Sequence, residues 1–214
     1  NHRKAVLFDY DGVLANTMED MYTAWSYSIN LYTKAKLTRD FFFLLEGKPS
    51  KQMAEDLMNK YKIDKRWIKE VIREKEEKYF KNNNFKINEK IIEIVNLLKK
   101  RGILIGLVSG APRSRIIKMT PAWIIDKCDV IVTSDDVSKG KPDSQPYLRA
   151  VEKLGIKKHE VIVIENAPLG IESAIKAGLF CIAVESTLHK RYLRNAHKTL
   201  KDFDEMFVYF KSKF

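Results

Sequence analysis

Two aspartates follow an apolar run close to the start of the chain. Residues 8–13 read FDYDGV, which places Asp9 and Asp11 two positions apart. At the end of a strand, side chains at i and i+2 project from the same side, and two close carboxylates repel unless a cation or a shared proton relieves them. Gly12 permits a sharp turn directly afterwards. The pattern indicates acid–base or nucleophilic chemistry beside a cation, and the alternative is a surface turn with two solvated acids.

Three later segments place polar groups after further apolar runs. Ser109 and Gly110 offer a hydroxyl and a backbone N–H that can hold phosphate oxygens. Lys141 stands between Gly and Pro on a constrained loop, and Glu165 with Asn166 adds oxygen ligands of the kind that Mg²⁺ takes. Each segment alone is compatible with an ordinary turn, a solvated lysine or a helix-capping acid. Together they indicate a phosphate and metal site.

The apolar runs themselves predict the elements that must position these groups. Continuous apolar runs of four to six residues suit strands that are buried on both faces of a parallel sheet. Such runs lie at 5–8, 103–108, 130–133, 161–164 and 180–184. Segments with helical periodicity lie at 89–100, 146–154, 170–177 and 205–214. This alternation predicts an α/β fold with a doubly wound, Rossmann-like parallel sheet, whose carboxyl edge is where such folds bind ligands.

One interval breaks the alternation. Residues 17–86 contain helical patterns and no predicted strand, with turns at 47–50 and 82–84. An apolar stripe recurs there at helical spacing, formed by Met21, Trp25, Ile29 and Tyr32. Glu74 and Lys78 stand at the favourable i,i+4 spacing of a more charged helix. We therefore expect an α/β core formed by residues 1–16 and 87–214, with a helical cap domain, residues 17–86, inserted into it.

Composition excludes several classes of protein. The chain has 214 residues, of which 45% are hydrophobic, so a packed core is expected rather than disorder. No run approaches the 18 or so apolar residues of a membrane span. The two cysteines form no CxxC pair, which favours a reducing compartment. An apolar strand begins within a few residues of the first position, which does not fit a signal peptide. We expect a cytoplasmic protein with no membrane partner.

In motif order and spacing, nearly the whole chain resembles the haloacid dehalogenase-like phosphotransferase superfamily. The resemblance implies that Asp9 attacks phosphorus and forms an aspartyl-phosphate, and that Asp11 acts as the acid and base. It also implies that Ser109 and the Gly110 N–H orient the phosphate, while Lys141 and Mg²⁺ offset its charge. The implied metal-binding residues are Asp9, Asp11, Glu165 and Asn166. A helical cap between the first two motifs is the family's own insertion.

One position of the metal motif departs from the family pattern. Many members carry Glu-Asp or Asp-Asp where this chain has Glu165 and Asn166. The amide still offers an oxygen, so the metal site loses charge without losing a ligand. We expect Mg²⁺ dependence with modest affinity.

Within the superfamily, the chain looks like the group that contains β-phosphoglucomutase and phosphoglycolate-type phosphatases. Thr17 matches that group and is expected to bind the substrate. The mutase typically has a His one turn later, where this chain has Met21. The mutase also tends to place an Arg in the cap loop, where this chain has Ser50. Lys48 and Lys51 flank that loop and are expected to bind the substrate. These departures favour a phosphatase of a small phosphorylated metabolite over the alternative, a sugar phosphomutase.

The formal charge of +11 raises a remote alternative, a basic nucleic-acid-binding protein. Residues 187–201 contain five Lys and Arg and no acidic residue. The excess is nevertheless spread along the chain, because the cap interval has 15 basic and 11 acidic residues and the remainder has 24 and 17. We expect solvated surface charge there, and nucleic acid is an unlikely partner. The oligomeric state is not predicted.

Overall fold

A six-stranded parallel sheet forms the centre of the protein. The computed structural model describes residues 3–82 and 85–214. The strands are β1 (Ala5–Asp9), β2 (Leu104–Val108), β3 (Val130–Val132), β4 (Val161–Glu165), β5 (Phe180–Val184) and β6 (Lys198–Leu200). They lie in the order β3-β2-β1-β4-β5-β6, and every neighbouring pair is parallel. From β1 the chain adds strands on one side of the sheet as far as β3, and from β4 onward it adds them on the other side. This change of side confirms the doubly wound α/β fold that the sequence predicts.

Helices cover both faces of the sheet. In chain order they are α1 (Met18–Asn30), α2 (Arg39–Leu44), α3 (Ser50–Tyr61), α4 (Ile68–Asn82), α5 (Glu89–Lys100), α6 (Arg113–Met119), α7 (Ala122–Ile125), α8 (Gln145–Leu154), α9 (Pro168–Lys176) and α10 (Phe203–Lys213). Alternate strand residues enter different cores: Ala5 and Leu7 pack into one, and Val6 and Phe8 into the other. That alternation follows from the two-residue period of a strand, and it explains why the strand runs are apolar at every position.

The interval between β1 and α5 is helical wherever the structure describes it. Within α1, Met21, Trp25 and Ile29 are buried as the apolar stripe predicts, whereas Tyr32 lies beyond the end of the helix and packs against Trp67. Buried side chains of α1, α3 and α4 belong to the same apolar cluster as Leu7 of the sheet. The helical insertion therefore shares one continuous core with one face of the sheet.

Three elements were not expected from the sequence. Strand β6 adds three residues to the edge of the sheet, and α6 and α7 follow β2. Each is short, with at most seven residues, so an apolar pattern repeats too few times within it to be identified. The predicted pair of Glu74 and Lys78 is wrong, because Arg73 pairs with Glu77 at i,i+4 and also with Glu74, while Lys78 lies 5.0 Å from the Tyr27 ring.

Four further expectations concern the turn at 82–84, membrane spans, the cysteines and the basic segment 187–201. Asn83 and Asn84 of the predicted turn at 82–84 lie outside the described residues. Across the described part of the chain, none of the helices has the length and apolar character needed to cross a membrane. Both cysteines are free thiols. The basic side chains in 187–201 are exposed, and they lie around a short helical turn, Lys190–Tyr192, and along β6.

Candidate functional site

Asp9 and Asp11 lie at the carboxyl edge of the sheet. Asp9 is the last residue of β1, and both aspartates are buried, each with 5% of its surface exposed. Gly12 turns the chain with φ +82°, a conformation that side-chain-bearing residues rarely adopt. A Cβ atom at Gly12 would lie 2.1 Å from Nδ2 of Asn166. The turn therefore needs glycine both for its backbone angle and for the approach of Asn166.

A buried lysine joins two of the predicted carboxylates. Nζ of Lys141 lies 2.5 Å from Oδ1 of Asp9 and 2.7 Å from Oε1 of Glu165, and only 1% of the lysine is exposed. The hydroxyl of Tyr147 donates a second hydrogen bond to Oε1 of Glu165, at 2.6 Å. Two strand ends that are distant in the sequence, those of β1 and β4, thus meet at one ammonium group. No pattern in the sequence pointed to this contact of Tyr147.

The electrostatics of this group follow from burial and from an excess of negative charge. Burial and the Glu165 carboxylate raise the pKa of Asp9 well above its ordinary value, although the Lys141 ammonium opposes them. Burial alone would lower the pKa of Lys141, but the two carboxylates outweigh it and raise the pKa. Lys141 therefore stays charged. Its single positive charge does not neutralise both the Asp9 and the Glu165 carboxylates.

Asp11 is held by two residues on opposite sides. The Thr17 hydroxyl donates a hydrogen bond to Oδ1 at 2.5 Å, and Nη2 of Arg115 lies 3.4 Å from Oδ2. Thr17 was expected to bind substrate, but its hydroxyl faces Asp11 instead. Arg115, in α6, was not expected at all. The only signal in the sequence was its position in the segment that follows β2, seven residues after Val108.

The segment after β2 lies directly beneath the helical insertion. Ser109 is buried, and its Oγ accepts a hydrogen bond from the Ala111 N–H at 3.1 Å. At Gly110 a Cβ atom would lie 2.6 Å from the carbonyl oxygen of Gly47, in the loop between α2 and α3. The two backbones can approach this closely only because Gly110 has no side chain.

Asn166 carries the atom that best fits a cation. Its Nδ2 donates to the Asp11 carbonyl at 3.1 Å and to Oγ1 of Thr187 at 2.8 Å, whereas its Oδ1 is buried without a hydrogen-bond donor. Within the residues that the structure describes, no three Asp, Glu, His or Cys side chains converge on one point. Glu165 is turned toward Lys141 and Tyr147. The oxygens that fit Mg²⁺ are therefore those of Asp9, the Asp11 carbonyl and Asn166, supplemented by water.

The two aspartates line a small cavity between the sheet edge and the insertion. It measures about 20 Å³, which is room for roughly one water molecule. Its walls include Met21, Trp25, Glu46, Lys48, Ser50, Gly110 and Arg115. Of the two lysines expected to bind substrate, Lys48 lines this cavity and pairs with Asp56. Lys51 does not: it is exposed and lines a different cavity, beside Lys139 and Pro142.

Two buried titratable groups from the insertion approach this cavity. Burial and the Asp11 carboxylate raise the pKa of Glu46 to about 8, so its carboxyl group is mostly protonated at pH 7. Burial and the Arg115 guanidinium lower the pKa of Lys75 to about 8. The ammonium of Lys75 pairs with Glu76 and lies 4.9 Å from the Trp25 ring. At neutral pH Glu46 therefore adds little negative charge near Asp11, and the Lys75 ammonium is balanced by Glu76.

A larger cavity of about 600 Å³ lies on the other side of the aspartate turn. Gly12, Asn16, Asn88, Ser186 and Thr187 are among the residues that line it, but neither aspartate does. Its walls carry one acidic and one basic residue, Glu19 and Lys86. We place the chemistry at the smaller cavity, because both aspartates and Arg115 line it.

Comparisons with known proteins agree with this arrangement. Residues 6–184 match the family model described as haloacid dehalogenase-like hydrolase. A pyrophosphatase, PpaX, of Bacillus cereus is 30% identical over 204 residues, which cover 94% of this chain and 92% of the relative. The validoxylamine A 7'-phosphate phosphatase of Streptomyces hygroscopicus is 34% identical over 116 residues, only 54% of each chain, so the match spans about half of that relative.

A solved structure is similar over nearly the whole chain. It is a provisionally assigned β-phosphoglucomutase from Bacteroides vulgatus, with a TM-score of 0.85 and 28% sequence identity. The match covers 99% of this chain and 88% of the other. The relatives with similar sequences and the similar structure thus carry names from both hydrolase and mutase chemistry.

Proposed function

Because the chain belongs to the haloacid dehalogenase-like hydrolase family and is a phosphoric monoester hydrolase of that family, we propose that it is a Mg²⁺-dependent phosphatase. Its substrate is a small phosphorylated metabolite, and the reaction passes through an aspartyl-phosphate. Residues 17–86 form the cap domain, and residues 1–16 and 87–214 form the core. A cytoplasmic location stays a prediction.

The observation that carries the proposal is the pairing of Asp9 with Lys141 beside Asp11. An Asp9 carboxylate oxygen attacks phosphorus while the bond from phosphorus to the leaving oxygen breaks, and Asp11 gives that oxygen a proton. Water then attacks phosphorus in the aspartyl-phosphate and gives a proton to Asp11, while the bond from phosphorus to the Asp9 oxygen breaks and frees the Asp9 carboxylate. Orthophosphate leaves, and both aspartates return to their starting states. Thr17 and Arg115 hold the Asp11 carboxylate on either side of this path.

Charge neutralisation is the second requirement of the reaction. The transferred phosphoryl group brings negative charge to a site that already has a surplus of it. Lys141 supplies one fixed positive charge next to the attacking oxygen, and the Ser109 and Gly110 segment orients the phosphate oxygens. Fixed dipoles and charges of this kind act strongly because they lie in a buried site and need no reorganisation.

Mg²⁺ fits the remaining oxygens, and Asp9, the Asp11 carbonyl and Asn166 would hold it. When bound, it supplies positive charge and fixes the orientation of the phosphate. The buried, unpaired Oδ1 of Asn166 supports this assignment, because buried polar atoms rarely lack a partner. Asn brings no charge to the metal, so the affinity should be lower than that of a site with an aspartate there.

Replacing Asn166 tests the metal site directly. Asn166→Asp should tighten Mg²⁺ binding on the order of ten-fold, because the ligand gains a charge, and Asn166→Ala should weaken it. Binding is measured as the Mg²⁺-dependent rise in melting temperature, so that the result does not depend on turnover. Asn195→Asp, an exposed position, is the matched control. Unchanged Mg²⁺ binding in Asn166→Ala would refute the assignment.

A sugar phosphomutase is the second candidate, because the similar structure carries that name. Against it, Met21 stands at the cavity wall with Sδ 3.4 Å from Nη1 of Arg115. A thioether is only a weak hydrogen-bond acceptor and has no proton to transfer. The arrangement therefore favours water, rather than a second sugar hydroxyl, as the final acceptor.

A substrate panel separates the two candidates. The protein with Mg²⁺ is supplied with sugar phosphates, phosphoglycolate, pyrophosphate and nucleotides, and released orthophosphate is measured. In parallel, glucose 1-phosphate is tested for conversion to glucose 6-phosphate. We expect stoichiometric orthophosphate from at least one compound and no isomerisation. Isomerisation without net phosphate release would reverse the order of the two candidates.

A further inference from the structure

Arg115 is a buried cation that the proposed chemistry does not use for phosphoryl transfer. It comes from the core helix α6, and its side chain is only 6% exposed. It nevertheless lines the cavity that holds both aspartates. Lys141 already serves Asp9, on the other side of the site. Arg115 is paired with Asp11 at 3.4 Å, so its charge is not left alone, and the open question is what its remaining N–H donors bind.

The guanidinium group is incompletely satisfied by the protein. Its hydrogen-bonding contacts are the 3.4 Å approach of Nη2 to Asp11 and the 3.4 Å contact of Nη1 with the sulfur of Met21. Nε is buried and has no hydrogen-bond partner among the described residues, and the Tyr79 ring lies 5.6 Å from Cζ. Guanidinium offers five N–H donors in a planar fork that matches carboxylate and phosphate oxygens. Donors therefore remain for an anionic ligand in the cavity.

The position of Arg115 shows which end of a substrate it faces. It touches Asp11, which protonates the leaving oxygen in the proposed function, and not Asp9, which receives the phosphoryl group. The group nearest Arg115 is therefore part of the leaving group, close to the ester oxygen. The cavity has room for about one water molecule in this structure, so its walls must move apart to admit a substrate, and a compact leaving group needs the least movement. Lys48, which is paired with Asp56, lines the same wall.

We infer that Arg115 binds a second anionic oxy-acid group, a carboxylate or a phosphate, on the leaving group of a compact substrate. The inference rests on the proposed phosphatase function and narrows its substrate class. Arg115 would be a specificity-determining residue, which discriminates between anionic and neutral leaving groups.

Three esters that share a two-carbon leaving group test this inference. The neutral reference is 2-hydroxyethyl phosphate, phosphoglycolate carries a carboxylate in place of the hydroxymethyl group, and ethylene glycol bisphosphate carries a phosphate. The last two separate the two possible anions. For wild-type protein with Mg²⁺, we expect kcat/KM for at least one anionic ester to exceed that of the neutral ester by about ten-fold or more.

Arg115→Met should then lower kcat/KM for the preferred anionic ester by about 10- to 100-fold, the loss expected for hydrogen bonds to a charged group. The neutral ester should fall by a smaller factor, because it loses only the support that Arg115 gives to Asp11. Arg115→Lys should retain part of the preference for the anionic ester. Arg73→Met is the matched control, because this arginine is 60% exposed on α4 and pairs only with acidic neighbours on its own helix among the described residues. Urea unfolding of each variant establishes that it is folded.

Two results would overturn the inference. An equal loss of kcat/KM on neutral and anionic esters would show that Arg115 acts only by positioning Asp11. A wild-type protein that prefers neither anionic ester would exclude the proposed substrate class, even if Arg115→Met did not fold. Both leave the phosphatase function standing, since the neutral ester is still hydrolysed. The absence of phosphate release from every ester would instead contradict the proposed function.

Discussion

Replacing Asp9 by Asn should lower kcat/KM for phosphate release by a factor on the order of 10⁴ or more, the size of loss seen when a nucleophile is removed. The amide cannot attack phosphorus, and no other described carboxylate takes its place: Glu165 is bound to Lys141 and Tyr147, and Asp11 to Thr17 and Arg115. The measurement is orthophosphate release under single-turnover and multiple-turnover conditions.

The fold should survive this substitution. Burial raises the pKa of Asp9, so a neutral amide removes a charge that the interior tolerates poorly. Lys141 keeps Glu165 as its partner. The melting temperature should therefore stay within a few degrees of the wild type. Asp40→Asn, at an exposed position in the first turn of α2, is the matched control and should keep full activity. Wild-type turnover by Asp9→Asn would contradict the proposed nucleophile.

Replacing Lys141 by Met should damage both activity and stability. Without the ammonium group, Asp9 and Glu165 face each other in a buried site, and breaking a buried ion pair typically costs about 3–5 kcal/mol of unfolding free energy. The phosphoryl group also loses the fixed charge beside its acceptor, so kcat/KM should fall by a factor on the order of 10³. Urea unfolding and orthophosphate release at pH 8 measure the two losses.

The stability loss should depend on pH in a definite direction. In the wild type the pKa of Lys141 is raised, so its stabilising charge is fully present below its ordinary pKa of 10.5. In Lys141→Met, Asp9 loses the ammonium group that opposes the rise of its pKa, so its buried carboxyl group holds a proton more tightly than it does in the unfolded chain. The variant therefore loses stability as pH rises, and its deficit should be largest near pH 8 and smaller at pH 5.

A neighbouring lysine provides the control for this effect. Lys139 lies two residues away in the same loop but is exposed. Lys139→Met removes the same charge from the same loop and should leave stability and its pH dependence nearly unchanged. If Lys141→Met were as stable as the wild type at pH 8, the ammonium group would not be the partner that the two carboxylates need.

Much of this site was predictable because short segments of the sequence carry the signals for its strands and for the polar residues that follow them. A short apolar run predicts a buried strand, and the polar residue that follows it must lie at the carboxyl edge of a parallel sheet. The strands β1 and β4, with Asp9 and Glu165 at their ends, follow from this rule alone. The apolar pattern places Asp9, Glu165 and Lys141 at one edge of the sheet. It does not require both carboxylates to pair with Lys141, which the structure shows.

The remaining parts of the site depend on orientations that no local pattern determines. Lys48 and Lys51 flank the same loop, but only Lys48 faces the cavity, because Lys51 lies in the first turn of α3 and points away. Arg115 lies in a helix of seven residues, too short for its buried face to be identified from periodicity. The contact of the Tyr147 hydroxyl with Glu165 depends on how α8 packs beside β4.

The contact between Gly47 and Gly110 restricts how this protein could be redesigned. The loop between α2 and α3 is the natural place to alter substrate range, because Glu46 and Lys48 line the cavity without belonging to the transfer chemistry. Its middle residue, however, presents its carbonyl where a side chain at position 110 would have to go. A library that varies the residues flanking Gly47 while retaining both glycines would explore new leaving groups on an unchanged catalytic framework.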